Sequence, residues 1–319
     1  MKQFKAWVAA ARLRTLPLSV SGIIVGISLA SHEFFRINAT GVTEELNGAI
    51  ALAEQPVWKM PVFWLAILTT VGFQILSNFA NDYGDGVKGT DANREGEKRM
   101  VASGLIRPKQ MKRGMYVTAG ISLLLASMLI FAAFGNSNFI LAFVFFNLAI
   151  FSVIAAIKYT VGDSAYGYSG FGDVFVFVFF GIVSVLGSYF LVMKNLDLSL
   201  ILPAISIGCF STSVLNLNNM RDIDNDRNSG KNTLVVKLGS KKAKNYHYIL
   251  LVIGMICGVL YTFLNYSEPL QFVYVIAYVP FLWNIRVVLG NKEPRKLDGE
   301  LKKVALSTFL FAILFAWLH

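Results

Sequence analysis

The apolar residues of this chain fall into nine long blocks separated by polar segments. Their approximate limits are Leu16–Ser31, Pro61–Asn81, Met115–Phe134, Phe139–Ile157, Val174–Met193, Leu198–Leu217, His247–Leu264, Gln271–Ile285 and Val304–His319. A helix that crosses a bilayer needs about 20 apolar residues, within a range of roughly 17 to 25. The first, eighth and ninth blocks fall slightly short, so their helices are expected to take in flanking polar residues. The pattern predicts an all-α polytopic membrane protein: nine transmembrane helices in a single membrane-embedded domain over residues 1–319. The first block has a basic approach and a small-x-small pair, Ser28 and Ala30, as a signal peptide would. Eight further blocks downstream make a retained helix the expected state.

Composition narrows the class. Of 319 residues, 55% are hydrophobic and 15% charged, with a mean hydropathy of +0.57, whereas a soluble domain carries about a quarter charged residues. A disulfide scaffold, a disordered regulator and an ordinary soluble enzyme are thereby excluded. The net charge of +10 could point to nucleic acid in a soluble protein; here its placement gives another reading. With the N-terminus inside, the cytoplasmic segments 1–15, 82–114, 158–173, 218–246 and 286–303 hold 26 of the 29 Lys and Arg. The outer side holds only Arg36, Lys59 and Lys194. Basic residues collect in cytoplasmic loops, so the excess reports topology, with the N-terminus cytoplasmic, and no nucleic-acid partner is expected. Cys209 and Cys257 both sit inside apolar blocks and are expected to be small buried or lipid-facing residues, not a disulfide or a metal site.

No Asp, Glu, Lys or Arg lies inside any of these nine blocks. Ion-coupled pumps and transporters keep ionisable groups at membrane depth because those groups form the pathway. The chemistry of this chain is therefore expected at the cytoplasmic mouth. The long outer segment 32–60 includes a stretch, Val42–Ala53, with the pattern of a short interfacial helix.

Two acidic constellations occupy that mouth. After the second block the chain runs Asn78-Phe-Ala-Asn81-Asp82-Tyr-Gly-Asp85-Gly-Val-Lys88-Gly-Thr-Asp91, and after the sixth Asn218-Asn219-Met-Arg221-Asp222-Ile-Asp224-Asn-Asp226-Arg-Asn-Ser-Gly-Lys231. Both contain Asn-x3-Asp. An even number of spans separates them, so their host helices point the same way, a parallel internal repeat with halves at about 1–157 and 158–319. If the helices continue into the motifs, Asn78, Asp82 and Asp85 fall within roughly 60° of one another, and Asn218, Asp222 and Asp226 within about 80°. Asp224 falls off that face and is expected in solvent. Carboxylates without His or Cys suit a hard divalent ion, Mg²⁺ before Zn²⁺, and Mg²⁺ completes its shell with water and substrate phosphate. Lys88, Arg94, Lys98, Arg99, Arg221 and Lys231 stand close in sequence and are suited to a diphosphate leaving group. Asp82, Asp85, Asp222 and Asp226 are the candidate catalytic acids. The three histidines, His32 in the outer loop and His247 and His319 at block ends, are expected to lack partners.

The two blocks resemble the paired aspartate motifs of the UbiA-type membrane prenyltransferases. The first, Asn78-x2-Asn81-Asp82-Tyr83-x-Asp85-x3-Gly89-x-Asp91, is similar to that of the 1,4-dihydroxy-2-naphthoate prenyltransferases of menaquinone synthesis. Arg12, Thr15-Leu16-Pro17, Tyr159-Thr160, Tyr166-Gly167-Tyr168, Gly170-x-Gly172-Asp173, Phe175–Gly181 and Gly230-Lys231-x-Thr233-Leu234 agree with it, so the likeness covers essentially the whole chain. The resemblance implies Asn78, Asp82, Asp85, Asp222 and Asp226, with Asn218 and Asp91 as further candidates, holding Mg²⁺ on a polyprenyl diphosphate. It implies Lys88, Arg99, Arg221 and Lys231 on the diphosphate oxygens. Ionisation then gives an allylic cation that attacks an aromatic acceptor, in a nine-helix bundle whose central cavity takes the prenyl tail from the bilayer. Lys158, Tyr159, Tyr166 and Tyr168 are candidates for acceptor or phosphate, or are interfacial anchors. Arg12 and Arg14 are expected to be a basic flank, with an acceptor carboxylate as the other reading. Acceptors other than the naphthoate (4-hydroxybenzoate, homogentisate, a tetrapyrrole or a lipid head group), a carrier of phosphorylated metabolites and a structural subunit remain open at this level. A menaquinone product places the protein in a bacterial inner membrane.

Overall fold

The computed structural model describes residues 2–39, 56–91 and 98–319; the Val42–Ala53 stretch and Arg94 lie outside them. Among the described residues nine helices are long and apolar enough to cross a membrane. We number the helices α1 (Lys2–Ala11), α2 (Leu16–Ala39), α3 (Pro61–Lys88), α4 (Pro108–Phe134), α5 (Phe139–Lys158), α6 (Gly172–Met193), α7 (Ile201–Arg221), α8 (Ile223–Asn228), α9 (Leu234–Leu264), α10 (Tyr278–Gly290) and α11 (Asp298–Leu318). No strand occurs among the described residues. A bilayer requires this, since every backbone N–H and C=O there must be satisfied within its own segment.

Several helices outrun their apolar blocks. α2 continues to Ala39, which places His32 on a helix instead of in a loop. α3 continues through the first acidic motif until Gly89, whose positive φ of 75° supplies the left-handed turn that stops it. α9 starts at Leu234, well before its apolar block, because the Lys-rich stretch ahead of His247 is helical too and buries Val235 and Ala243. The eighth span begins as a tight 3₁₀ run, Pro269–Ala277, before relaxing into α10.

Small residues set the closest contacts. A Cβ on Gly22 or Gly26 of α2 would lie 2.3 or 2.1 Å from the hydroxyl oxygens of Ser184 and Ser188 on α6. This small-xxx-small seam replaces the hydrophobic drive that lipid removes between helices. It also makes α2 an integral wall of the bundle, as expected of a retained helix. The facing part of α6, Phe177–Gly187, is wound in wide π turns. A large aromatic-rich core joins α2, α6, α7 and α9–α11. A smaller one at the end that carries the acidic motifs packs α1, α3 and the start of α4 on Met100, Val101 and Ile106. Cys209 is buried, Cys257 half-buried, and neither is in a disulfide. The expected isolation of the histidines is corrected by buried partners. His247 shares a 2.7 Å hydrogen bond with Asn284, whose amide donates to Glu300, and His319 stacks on Phe315.

Candidate active site

The first motif rides the last three turns of α3, as the periodicity predicts, and Asn78, Asp82 and Asp85 are all buried. Their partners differ. The Asn78 amide donates to the Ala11 carbonyl at 2.8 Å and ties α3 to the end of α1. Both Asp82 oxygens accept backbone N–H groups, from Met100 and Val101, each at 3.0 Å, so this carboxylate pins the loop ahead of α4. Asp85 alone of the three reaches the loop between α5 and α6 and the second motif. It accepts the Tyr168 hydroxyl at 2.8 Å and the Lys231 ammonium at 3.3 Å. The chain can come this close because residue 84 is glycine: a Cβ there would sit 2.8 Å from the Thr160 carbonyl oxygen.

The second motif departs from a continuous helix. α7 ends at Arg221 and α8 restarts at Ile223, with Asp222 at φ −97°, ψ 11° between them. The i to i−4 hydrogen bonds nevertheless persist, Asp222 N–H to Asn218 and Asp226 N–H to Asp222, which keeps the three residues in register. Arg221, buried, donates to both Asp222 oxygens at 2.8 Å, to Asp298 of α11 at 2.6 Å and to Asn218 at 2.8 Å. Four of the five N–H donors of a guanidinium are thereby consumed inside the protein. Asp226 is buried and Asp224 exposed, as the angular argument anticipated.

The two motifs meet. The Asn225 amide donates to the Thr90 carbonyl at 3.0 Å, and the Lys231 backbone N–H to the Asp226 carbonyl at 2.8 Å. Tyr168 is the hub between them. Its single proton goes to Asp85, so the Thr90 hydroxyl, 2.6 Å away, donates to its oxygen. Its ring carries the Lys88 ammonium at 4.0 Å from the centroid and the Lys231 ammonium at 5.3 Å. Lys88 also donates to the Gly162 carbonyl at 2.9 Å. Burial, then the Asp85 charge, raises the Tyr168 pKa well above its ordinary value, and the phenol stays a donor. Tyr159 is raised by burial first and then by the charges of Asp173, Asp85 and Asp226, among others, which places it among these acids. Arg99 is buried, pairs with Asp91 at 3.6 Å, and its Nη1 finds no hydrogen-bond acceptor among the described residues. Lys158 and Lys98 are exposed at the surface.

Behind this cluster opens a cavity of about 340 Å³ lined by α2–α6 and by Leu215 of α7. Gln74, Asn78, Asn81 and Tyr159 line its polar end, and Ile23, Leu129, Ile130, Leu148 and Phe179 its apolar body. The Tyr166 ring stacks on Phe175 at 3.9 Å and forms part of the wall. Among the described residues no three His, Cys, Asp or Glu side chains gather into a cluster that could hold a metal by themselves.

Two buried, acid-bearing helix ends thus meet beside the ammonium groups of Lys88 and Lys231, next to the polar end of a largely apolar cavity. The model of the UbiA prenyltransferase family matches residues 46–318, and the chain belongs to that family. Its similarity to individual members is high over nearly the full length. It is 36% identical to the 1,4-dihydroxy-2-naphthoate octaprenyltransferase of Haemophilus influenzae, over 99% of this chain and 96% of that one. It is 36% identical to the protein of the same name from Escherichia coli, over 98% and 94%. Among solved structures, a UbiA homolog from Archaeoglobus fulgidus bound to GPP and Mg²⁺ shares the fold, with a TM-score of 0.57 at 12% identity over 97% of this chain and 99% of that one.

The aspartates, Lys88, Lys231, Tyr159 and Tyr168 were legible as candidates in the sequence. Asp298, Thr90 and Asn225 were not. Asp298 lies 77 residues from Arg221 and Asn225 135 residues from Thr90, and no local pattern marks either.

Proposed function

We propose that this protein transfers a polyprenyl group from its diphosphate to 1,4-dihydroxy-2-naphthoate with loss of CO₂, giving demethylmenaquinol, the quinol form of demethylmenaquinone, in a Mg²⁺-dependent reaction at the cytoplasmic face of a bacterial inner membrane, with its N-terminus in the cytoplasm. The observation that carries the reading is the meeting of the two motifs, where Asp85 accepts Tyr168 and Lys231, two turns along α3 from Asn78, which with Asn81 lines the polar end of an apolar cavity. The names of the full-length relatives supply the acceptor.

The donor set fits Mg²⁺. The buried side chains of the two motifs offer oxygens, with no His or Cys among them. The ion takes one or two protein carboxylates and fills its octahedron with water and phosphate, so it does not need the three-acid cluster that is missing. Asp85 and Asp226 are the acids assigned to it, with Asp91 beside them. Asp82, Asp222, Asn78 and Asn218 complete the oxygen set, and the protein donors they accept hold the two helix ends in place. Bound Mg²⁺ supplies charge neutralisation to the diphosphate as a leaving group.

Lys88, Lys231 and Arg99, with its spare N–H, bind the diphosphate oxygens. Arg221 leaves this set because Asp222, Asp298 and Asn218 use up four of its five N–H donors, while Lys158, exposed as Lys88 is, is a further cation for the phosphate. The allylic C–O bond breaks with its electron pair going to the diphosphate. The ring attacks the cation, and the electrons of the ring–carboxylate bond return to the ring as CO₂ departs. Tyr159, Tyr166 and Phe175 wall this end of the cavity, keep water from the cation and present ring faces that favour it.

The test is product analysis with purified protein in lipid, octaprenyl diphosphate and Mg²⁺, offering 1,4-dihydroxy-2-naphthoate or 4-hydroxybenzoate with and without chelator. Demethylmenaquinol, read as demethylmenaquinone after oxidation in air, with CO₂ release and lost on chelation, is expected. Product with 4-hydroxybenzoate alone would refute the acceptor assignment, and chelator-resistant turnover would refute the metal.

A further inference from the structure

The depth of the cavity is a property of packing, and its outer end is built from three interlocked aromatic rings. On each wall the lining residue furthest from the acidic cluster is Ala66 on α3, Ile130 on α4, Phe145 on α5 and Leu191 on α6. The Phe145 ring lies 5.2 Å from Phe134 and stacks on Phe190 at 5.7 Å and 15°, while Phe134 and Phe190 are themselves 6.5 Å apart. Phe134 is buried, so Phe145 cannot turn away without breaking both contacts. Beyond the rings the Lys194 ammonium sits 4.4 Å over Phe134 and donates to the Leu191 carbonyl. A lysine head seeks the interface, so the aromatic group closes the cavity at the far side of the membrane from the acids.

We infer that Phe145, backed by Phe134 and Phe190, is the stop that determines how many isoprene units of the donor the enclosed cavity takes. The inference rests on the prenyltransferase reading above. Along α3 the lining runs from Asn81 to Ala66, about 22 Å at 1.5 Å per residue. Along α5 it runs from Tyr159 to Phe145, about 21 Å by the same rise. An isoprene unit contributes four backbone bonds of about 1.5 Å each, so it extends by roughly 5 Å. The cavity therefore holds about four units between the acids and the aromatic stop. Units beyond the fourth meet the Phe145 ring and turn out into the bilayer, where they exchange lipid for lipid and add nothing to recognition. The chain thus selects for a minimum tail length and is indifferent to additional units. Removing the ring admits one unit more, and enlarging it excludes one.

The experiment measures kcat/KM with allylic diphosphates of three, four, five and six units, with the naphthoate acceptor and Mg²⁺, for wild type, Phe145→Ala and Phe145→Trp. Reading ratios between lengths within one protein cancels any general loss from the substitution. At the binding efficiency of large ligands, the five carbons of an enclosed unit are worth up to about tenfold. Wild type should rise severalfold from three to four units and then level off. Phe145→Ala should go on rising to five, and Phe145→Trp should level off at three. A wild-type profile that climbs past four units, or one profile shared by all three proteins, overturns the inference. Wild-type protein inactive with every donor overturns the functional reading, and the inference with it.

Discussion

Tyr168→Phe removes one oxygen and leaves the ring in place. In the structure that oxygen gives Asp85 a 2.8 Å hydrogen bond and receives one from Thr90, while the ring underlies both Lys88 and Lys231. Asp85 is only 2% exposed, and its other partner here is Lys231 at 3.3 Å. Taking away a donor from a buried carboxylate costs about 1.5–3 kcal/mol. If Asp85 holds Mg²⁺, the loss falls on metal binding and orientation, where a partner of this kind is worth about 10–100-fold. The expected outcome is a kcat/KM lower by about 10–100-fold together with a higher Mg²⁺ concentration for half-maximal rate. Tyr168→Leu also removes the surface under the two ammonium groups, worth about 0.5–2 kcal/mol, and should raise KM for the diphosphate further. The assay is initial rate against Mg²⁺ at saturating substrates, with melting temperature followed by tryptophan fluorescence to exclude unfolding. A Tyr168→Phe protein with wild-type rate and wild-type Mg²⁺ dependence would refute the assignment of Asp85 to the metal through this hub.

The remaining predictions concern the second motif. Asp226→Asn should lower kcat by more than about 100-fold, the upper end for a disturbed metal site, whereas Asp224→Asn, on an exposed side chain, should stay within about twofold because exposed charges contribute little; equal losses in the two would show that position on the helix face does not matter. Arg221→Met leaves Asp222 buried with its main partner gone, and the structure should lose about 3–5 kcal/mol, seen as a lower melting temperature. Arg221→Lys should not restore it, because an ammonium cannot span Asp222 and Asp298 with the geometry of a guanidinium; full rescue by lysine would mean that charge alone suffices.

The two acidic motifs show how far a sequence carries a site. Their spacing gave the shared face on α3 correctly, because a helix imposes 100° per residue wherever it continues, and it continues to Gly89. The same rule could not say that neighbours on one face are used differently. Asp82 answers to the backbone of Met100 and Val101, and Asp85 to Tyr168 and Lys231. Arg221, read from its neighbours as a phosphate ligand, turns out to be enclosed by Asp222 and by an aspartate from the last helix. His247 was expected to lack a partner because that partner, Asn284, lies on another helix.

What the sequence determined by itself was the nine-span architecture, the side on which the charges collect, and the chemical type of the site. Each is local: a block of apolar residues is inserted because of its own transfer free energy, and loop charge acts through the flanking segments alone. The tertiary structure decided which partners each carboxylate and each cation engages, and which residues line the cavity. Those depend on contacts between residues up to 146 positions apart, as for Asp85 and Lys231. Close packing decides them, since a side chain's partner is whatever a neighbouring helix brings within about 3 Å.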